Sequence, residues 1–228
     1  DYRVRVAAGL TDQTGGVLRN EYVWSFRTID PRVEEVLPQT DFASPTEPIT
    51  ITFNQEMDLM SLRSALRVVR SDGALVAGAT TISGTSVIVR PDAPLERGAS
   101  YTIIVDAGAR SARGNGVLAE TFSISFRVAP LPALVTTRPA PGDVVSPDYG
   151  GLTLIFSTPM DWTTVSQNLV IEPALTNVYT SEYETEFTIY AQFEPDTEYR
   201  VTIGSAARDL YGVALGRDAT ATFRVGPR

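Results

Sequence analysis

The chain has 228 residues, 19 basic and 27 acidic, for a net charge of −8, and it contains neither histidine nor cysteine. Those absences remove Ser-His-Asp and Cys-His nucleophile pairs, thiolate or imidazole zinc sites, haem ligation and disulfides. Carboxylate chemistry, a tyrosine or serine activated by arginine, or an oxygen-ligand calcium site remain open, and none has a recognisable motif.

Every basic residue is arginine, a compositional bias that carries no functional content by itself. Arginines against acids count 4 to 4 over residues 1–31, 9 to 11 over 32–130 and 6 to 12 over 131–228. The acidic balance repels phosphate backbones and argues against nucleic acid. No apolar run approaches the roughly 18 residues of a membrane-spanning helix, so no membrane insertion is expected in this stretch. The chain opens at Asp1 without a signal-type segment, and any export signal is expected outside it.

From the amino end, YRVRVAAGLTDQTGGVLRNEYVWSFRT, starting at Tyr2, reads as two strands around a glycine-containing turn. Tyr22, Trp24 and Phe26 alternate with Val23, Ser25 and Arg27, which puts one large aromatic face on the hairpin with no partner sheet visible within residues 1–29. It is expected to dock on a neighbouring molecule or on the next unit, by edge pairing or swapping. A proline-bearing linker follows, TIDPR over residues 28–32. Ile49, Ile51 and Phe53 then alternate with Thr50 and Thr52 as a half-buried strand should. Asp58 caps a short helical stretch, LMSLRSAL. A second YxxxV block opens at Tyr101, and Phe122, Ile124, Phe126 and Val128 alternate with Ser123, Ser125 and Arg127.

A second linker, VAPLPAL over 128–134, precedes a repetition of the scheme: Leu152, Leu154 and Phe156 as the strand, Asp161 before WTTVSQNL, and a final block from Tyr199. The shared F-x-x-x-M-D places Phe53 over Phe156 and Met57 over Met160, 103 residues apart, while the tyrosine blocks recur at intervals of 99 and 98. One unit is therefore about 100 residues. The reading is all-β: tandem immunoglobulin-like Greek-key sandwiches, six to nine short strands each, over residues 32–129 and 133–226, preceded by the carboxyl-terminal hairpin of a truncated unit over 1–29. Prolines in both linkers predict a semi-rigid rod.

The order of these features, Met57-Asp58 and Pro159-Met160-Asp161 after the second strand, Tyr101 and Tyr199 opening the penultimate strand and glycine-rich turns before a terminal Phe strand, resembles bacterial Ig-like domains of the S-layer SbsA type. Glu56 replaces the proline in the middle unit, and Ser111 replaces the turn acid seen as Asp12 and Asp209. The resemblance implies a non-catalytic spacer in a secreted or envelope-anchored protein, extracellular or in the cell envelope, without cofactors. The third unit's FSTPMD, IEPAL and ARDLYG further resemble Ig-like modules of bacterial alpha-2-macroglobulin family proteins, which implies a protease-inhibitor parent. An adhesin or S-layer segment binding glycan or protein, and an accessory domain of an extracellular hydrolase, are the alternatives; neighbouring domains of the same parent are the expected partners in each.

Met57-Asp58 and Met160-Asp161 read either as a binding lip or as a buried methionine with a capping carboxylate, the second accounting for both residues without a ligand. Tyr2, Tyr101 and Tyr199 read as tyrosine corners rather than general acids. Asp12 and Asp209 fit Asx-type turns better than calcium sites, which need six to eight oxygens. Tyr149, Tyr179, Tyr183 and Tyr190, with Trp162, form a candidate ligand face on the last unit, provided that most of these rings are exposed.

Overall fold

The computed structural model describes residues 1–26 and 28–228; Arg27, assigned above to the hairpin's outer face, lies outside the described residues. The chain opens with a two-stranded antiparallel hairpin, β1 (Tyr2–Val6) and β2 (Tyr22–Phe26). The middle module runs β3 (Val33–Leu37), β4 (Ile49–Phe53), α1 (Leu59–Ala65), β5 (Leu66–Arg70), β6 (Gly78–Ser83), β7 (Ser86–Pro91), β8 (Ser100–Val105) and β9 (Phe122–Arg127). The third runs β10 (Leu134–Arg138), β11 (Val144–Val145), β12 (Gly151–Phe156), α2 (Trp162–Gln167), β13 (Leu169–Glu172), β14 (Tyr179–Tyr183), β15 (Glu186–Tyr190), β16 (Glu198–Ile203) and β17 (Ala219–Val225).

Each module is a two-sheet sandwich. In the middle one the sheets are ordered β3-β4-β7-β6 and β5-β8-β9; in the third they are β10-β12-β15-β14 and β11-β17-β16-β13. These are the four-strand and three-strand sheets of a constant-type immunoglobulin sandwich, and β11 adds a short parallel strand beside β17. The hairpin corresponds to the last two strands, as β8-β9 and β16-β17 do. The order follows from alternation: Ile49, Ile51 and Phe53 are buried, as are Leu152, Leu154 and Phe156, while the threonines between them sit at the half-exposed outer face.

Two separate cores result, one around Phe53, Leu62, Ile103 and Phe126 and one around Phe156, Met160, Phe187 and Phe223. Burying a side chain of that size contributes roughly 1.5–3 kcal/mol. The helical turn closes one end of each sandwich. Asp58 accepts from the Ser61 N–H at 2.7 Å, and Asp161 from the Thr163 and Thr164 N–H groups at 3.0 and 3.4 Å, so each aspartate satisfies donors that the first turn leaves open. Among the described residues, no helix is long and apolar enough to cross a membrane.

Candidate functional site: inter-module joints and a tyrosine face

In a tandem array the geometry that matters is how one module meets the next. At both joints the residue after the second-strand phenylalanine grips the linker. Asn54 accepts from the Arg32 N–H and donates to the Asp30 carbonyl, both at 3.0 Å. Ser157 accepts from the Ala133 N–H at 2.9 Å and donates to the Leu131 carbonyl at 2.8 Å. The same two linker positions are held each time, and the proline between them, Pro31 or Pro132, is buried. At the first joint Gln55 also donates to the Ile29 carbonyl at 3.1 Å, and Pro31 rests on Gly116, where a Cβ would meet the proline ring at 3.0 Å.

The second joint adds a desolvated ion pair. Arg97, in the turn before β8, reaches the Asp209 carboxylate of the third module at 2.7 Å and the Pro130 carbonyl at 3.1 Å. Its side chain is 15% exposed and that of Asp209 0%. The guanidinium lies 5.4 Å from the Tyr211 ring centroid, within cation–π range, and the Tyr211 hydroxyl donates to the Phe42 carbonyl of the middle module. Burial pushes the Tyr211 hydroxyl above its ordinary pKa, with the Glu47 and Asp209 carboxylates adding to the rise and Arg97 opposing it, so the phenol stays a donor. The other Asp209 oxygen accepts from the Tyr211 and Val213 N–H groups at 3.0 and 2.8 Å. Nothing in the sequence around Arg97 singles it out. The available signal was the exchange of Asp209 for Ser111 between repeats, which marks an acid used at one joint and dispensed with at the other.

The remaining motif residues are structural. Met57 and Met160 are buried and bridge to Ser111 and Asp209 of the turns between the last two strands. The Tyr101 hydroxyl accepts from the Glu96 N–H at 2.8 Å, and that of Tyr199 from the Glu194 N–H at 2.9 Å, a tyrosine corner in both modules. At Asp12 one oxygen accepts from the Thr14 hydroxyl and from the Thr14 and Gly16 N–H groups, all at 2.8 Å. These bonds, the Thr14 hydroxyl foremost, hold the carboxyl below the usual carboxylate range. Among the described residues no three acidic side chains come together as a metal site.

The candidate ligand face is divided by the structure. Trp162 does not belong to it: its ring stacks on Phe187 at 5.6 Å and tilts against Phe156 at 6.1 Å, packing on the core where the helical turn covers the sandwich end. Tyr149 is half-buried in the loop before β12. Tyr179, Tyr183 and Tyr190 do share a surface. Tyr179 pairs with Tyr190 and Tyr183 with Glu186 on the outer face of β14-β15, and the Tyr179 and Tyr190 rings stack at 5.3 Å. Tyr179 and Tyr183 are 69% and 70% exposed. Tyr190 lies against Gly151, covering a backbone that has no side chain of its own. The middle module places Ala79, Ser83 and Arg90 at these positions of the same sheet, so the fold does not require the tyrosines.

Of the two docking surfaces expected for the hairpin, the next unit does not supply one. Tyr22, Trp24 and Phe26 share a face with Tyr2, yet the next module does not cover it: Tyr22 and Phe26 are exposed and Trp24 is 43% exposed. The base of the hairpin approaches the middle module, where Tyr2, Ile29, Asn54 and Gly116 line a shared cleft.

No curated protein shows significant sequence similarity to the chain. Among solved structures it is similar to the N-terminal part of the bacterial S-layer protein SbsC, at 15% identity and a TM-score of 0.37 over 86% of this chain and 44% of that one. A titin I9–I11 tandem gives 8% identity and a TM-score of 0.30 over 93% and 72%. L,D-transpeptidase 3 from Mycobacterium tuberculosis gives 13% and 0.28 over 85% and 98%. The chain thus spans less than half of the S-layer protein it is matched to. The model of the bacterial Ig-like domain matches residues 27–128 and again 129–225, and the chain belongs to that family as a tandem pair.

Proposed function

We propose that this stretch is a non-catalytic spacer of a secreted or envelope-anchored bacterial protein, in which stiff joints hold successive Ig-like modules at a set angle. The observation that carries the reading is the second joint: a buried Arg97–Asp209 pair, a tyrosine bonded across the boundary and a linker clamped by Ser157. A flexible tether would leave these groups in water. Because the chain has no cysteine, paired Ala79→Cys and Ser181→Cys substitutions offer unique spin-label sites on exposed strands of the two modules. A stiff spacer gives one narrow distance distribution; a broad one refutes the reading. Within it, the resemblance of FSTPMD, IEPAL and ARDLYG supports an alpha-2-macroglobulin family parent, tested by protease trapping with the whole parent protein.

A second reading is favoured by the tyrosine face. Three rings that the sister module replaces by Ala79, Ser83 and Arg90 are exposed on one sheet surface, beside hydroxyls such as the Thr153–Thr188 pair at 3.0 Å. Aromatic rings flanked by hydroxyl groups suit sugar stacking. Glycan-array binding by the 228-residue chain that disappears in Tyr179→Ala/Tyr183→Ala supports it, and an array without signal removes it.

A further inference from the structure

Strand β14 contributes nothing to the core of its own module. Its residues are exposed on both faces, and among the described residues none of them packs on the third module's hydrophobic cluster. Its counterpart in the middle module, β6, keeps Thr80 and Ile82 half-buried, with Ile82 against the core. β14 is held instead by its ladder to β15 and by the Tyr179–Tyr190 stack, and it stands at the end of its sheet. An exposed strand with one open edge is a template for another strand.

The register with β15 fixes which backbone groups that edge offers. Glu184 and Thr185 alone connect Tyr183 to Glu186, and the pair flanking a two-residue hairpin turn exchanges backbone hydrogen bonds. Bonded and non-bonded pairs alternate from there, so Tyr179, Ser181 and Tyr183 direct their N–H and C=O groups at β15. Those of Thr180 and Glu182 point away from it. An incoming antiparallel strand must set its own outward-pointing residues opposite these two.

β14 meets that requirement itself. Two copies paired antiparallel about Ser181 set Thr180 of each opposite Glu182 of the other, and each such pair exchanges both backbone bonds. Tyr179 then faces Tyr183 of the other copy in non-hydrogen-bonded pairs, where Cα atoms are about 4.5 Å apart and side chains meet most closely. That makes an aromatic cross-strand pair at each end, continuing the stack of Tyr179 on Tyr190. Glu182, the strand's one charge, selects the register. Centring the pairing on Glu182 sets two carboxylates directly opposite, which is destabilising, and centring it on Thr180 sets Glu182 against Val178, outside the strand.

We propose that β14 is a homotypic docking edge, through which two copies of this chain join their third modules into one continuous sheet about a two-fold axis at Ser181. The proposal stands whether or not the tyrosine face takes a sugar, and whether or not the joints are stiff. Five residues a side lie at the low end of specific interfaces, so the dissociation constant is on the order of 100 µM.

The test uses the full 228-residue chain between about 10 µM and 1 mM, which brackets that value, with sedimentation velocity and residue-resolved hydrogen exchange. The expected result is a dimer that grows with concentration, and Thr180 and Glu182 amides that exchange about 5-fold more slowly at the upper limit. Thr180→Pro removes an outward N–H without touching the ladder to β15 and should abolish the dimer. Thr180→Arg sets a guanidinium opposite each Glu182 and should tighten it roughly 3- to 10-fold. Should proline unfold the strand, seen as loss of the third module's thermal transition, Thr180→Arg decides: tightening supports the proposal, and an unchanged or weaker dimer overturns it. A chain that stays monomeric throughout overturns it. So does association that both substitutions leave unchanged, which would place the contact elsewhere, as on the Tyr22 and Trp24 face of the hairpin.

Discussion

Replacing Arg97 by alanine is the sharpest perturbation of the second joint. Asp209 is wholly buried, and one of its oxygens is held by two N–H groups of its own turn; the other is left facing a space from which water is excluded. Removing one partner of such a pair costs about 3–5 kcal/mol while the joint remains closed. Opening the joint lets water reach the carboxylate and sacrifices the Tyr211–Phe42 hydrogen bond, worth about 1 kcal/mol. Opening is therefore the cheaper response. Arg97→Ala should broaden the Ala79→Cys/Ser181→Cys distance distribution while both sandwiches stay folded.

Adding Asp209→Ser, the residue that the middle module uses at this position, removes the orphaned charge and should narrow the distribution again. In urea unfolding the two substitutions should be non-additive by about 2 kcal/mol or more, within the range of desolvated charge pairs. A narrow distribution in Arg97→Ala, with additivity within about 0.5 kcal/mol, would refute the reasoning.

Asp161→Ala removes the cap of α2 and should lower the third module's stability by about 1 kcal/mol, read from thermal unfolding against a folded middle module. Tyr199→Phe deletes the acceptor of the Glu194 N–H and should cost about 1 kcal/mol, with no effect on any ligand binding. Glu184 sits at φ +47° in the β14-β15 turn where the middle module has Gly84 at +60°; Glu184→Gly should stabilise by up to about 1 kcal/mol in the same melt, since glycine adopts this region without a Cβ clash. The Asp12 carboxyl should titrate below the usual carboxylate range by NMR. Its folded-state value is depressed, so its contribution is complete above the unfolded value and is lost as pH falls through the folded one.

Local pattern carried the sandwich strands, because a period of two in apolar residues leaves one consistent way to bury Ile49, Ile51 and Phe53 or Leu152, Leu154 and Phe156. The same holds for the caps at Asp58 and Asp161 and the corners at Tyr101 and Tyr199, whose partners lie two to five residues away. Trp162 shows where the pattern fails. A tryptophan at the start of a short helical turn has no sequence feature that says whether it points out or folds back, and it folds back because Phe156 and Phe187 leave the sandwich end open to it. The tyrosines of β14 and β15 share the ambiguity; alternation places them on one face, but only the burial of Phe187 and Ile189 on the other makes that face the outer one.

By itself, then, the sequence determined a tandem of all-β modules, their spacing and the residues that cap and close them, because each of these depends on neighbours a few positions away or on a repeated period. Only the tertiary structure decided the joint and the state of the hairpin. Arg97 and Asp209 are 112 residues apart in the chain, and they meet because two folded modules leave a dry gap between them that one charge enters only in the company of the other.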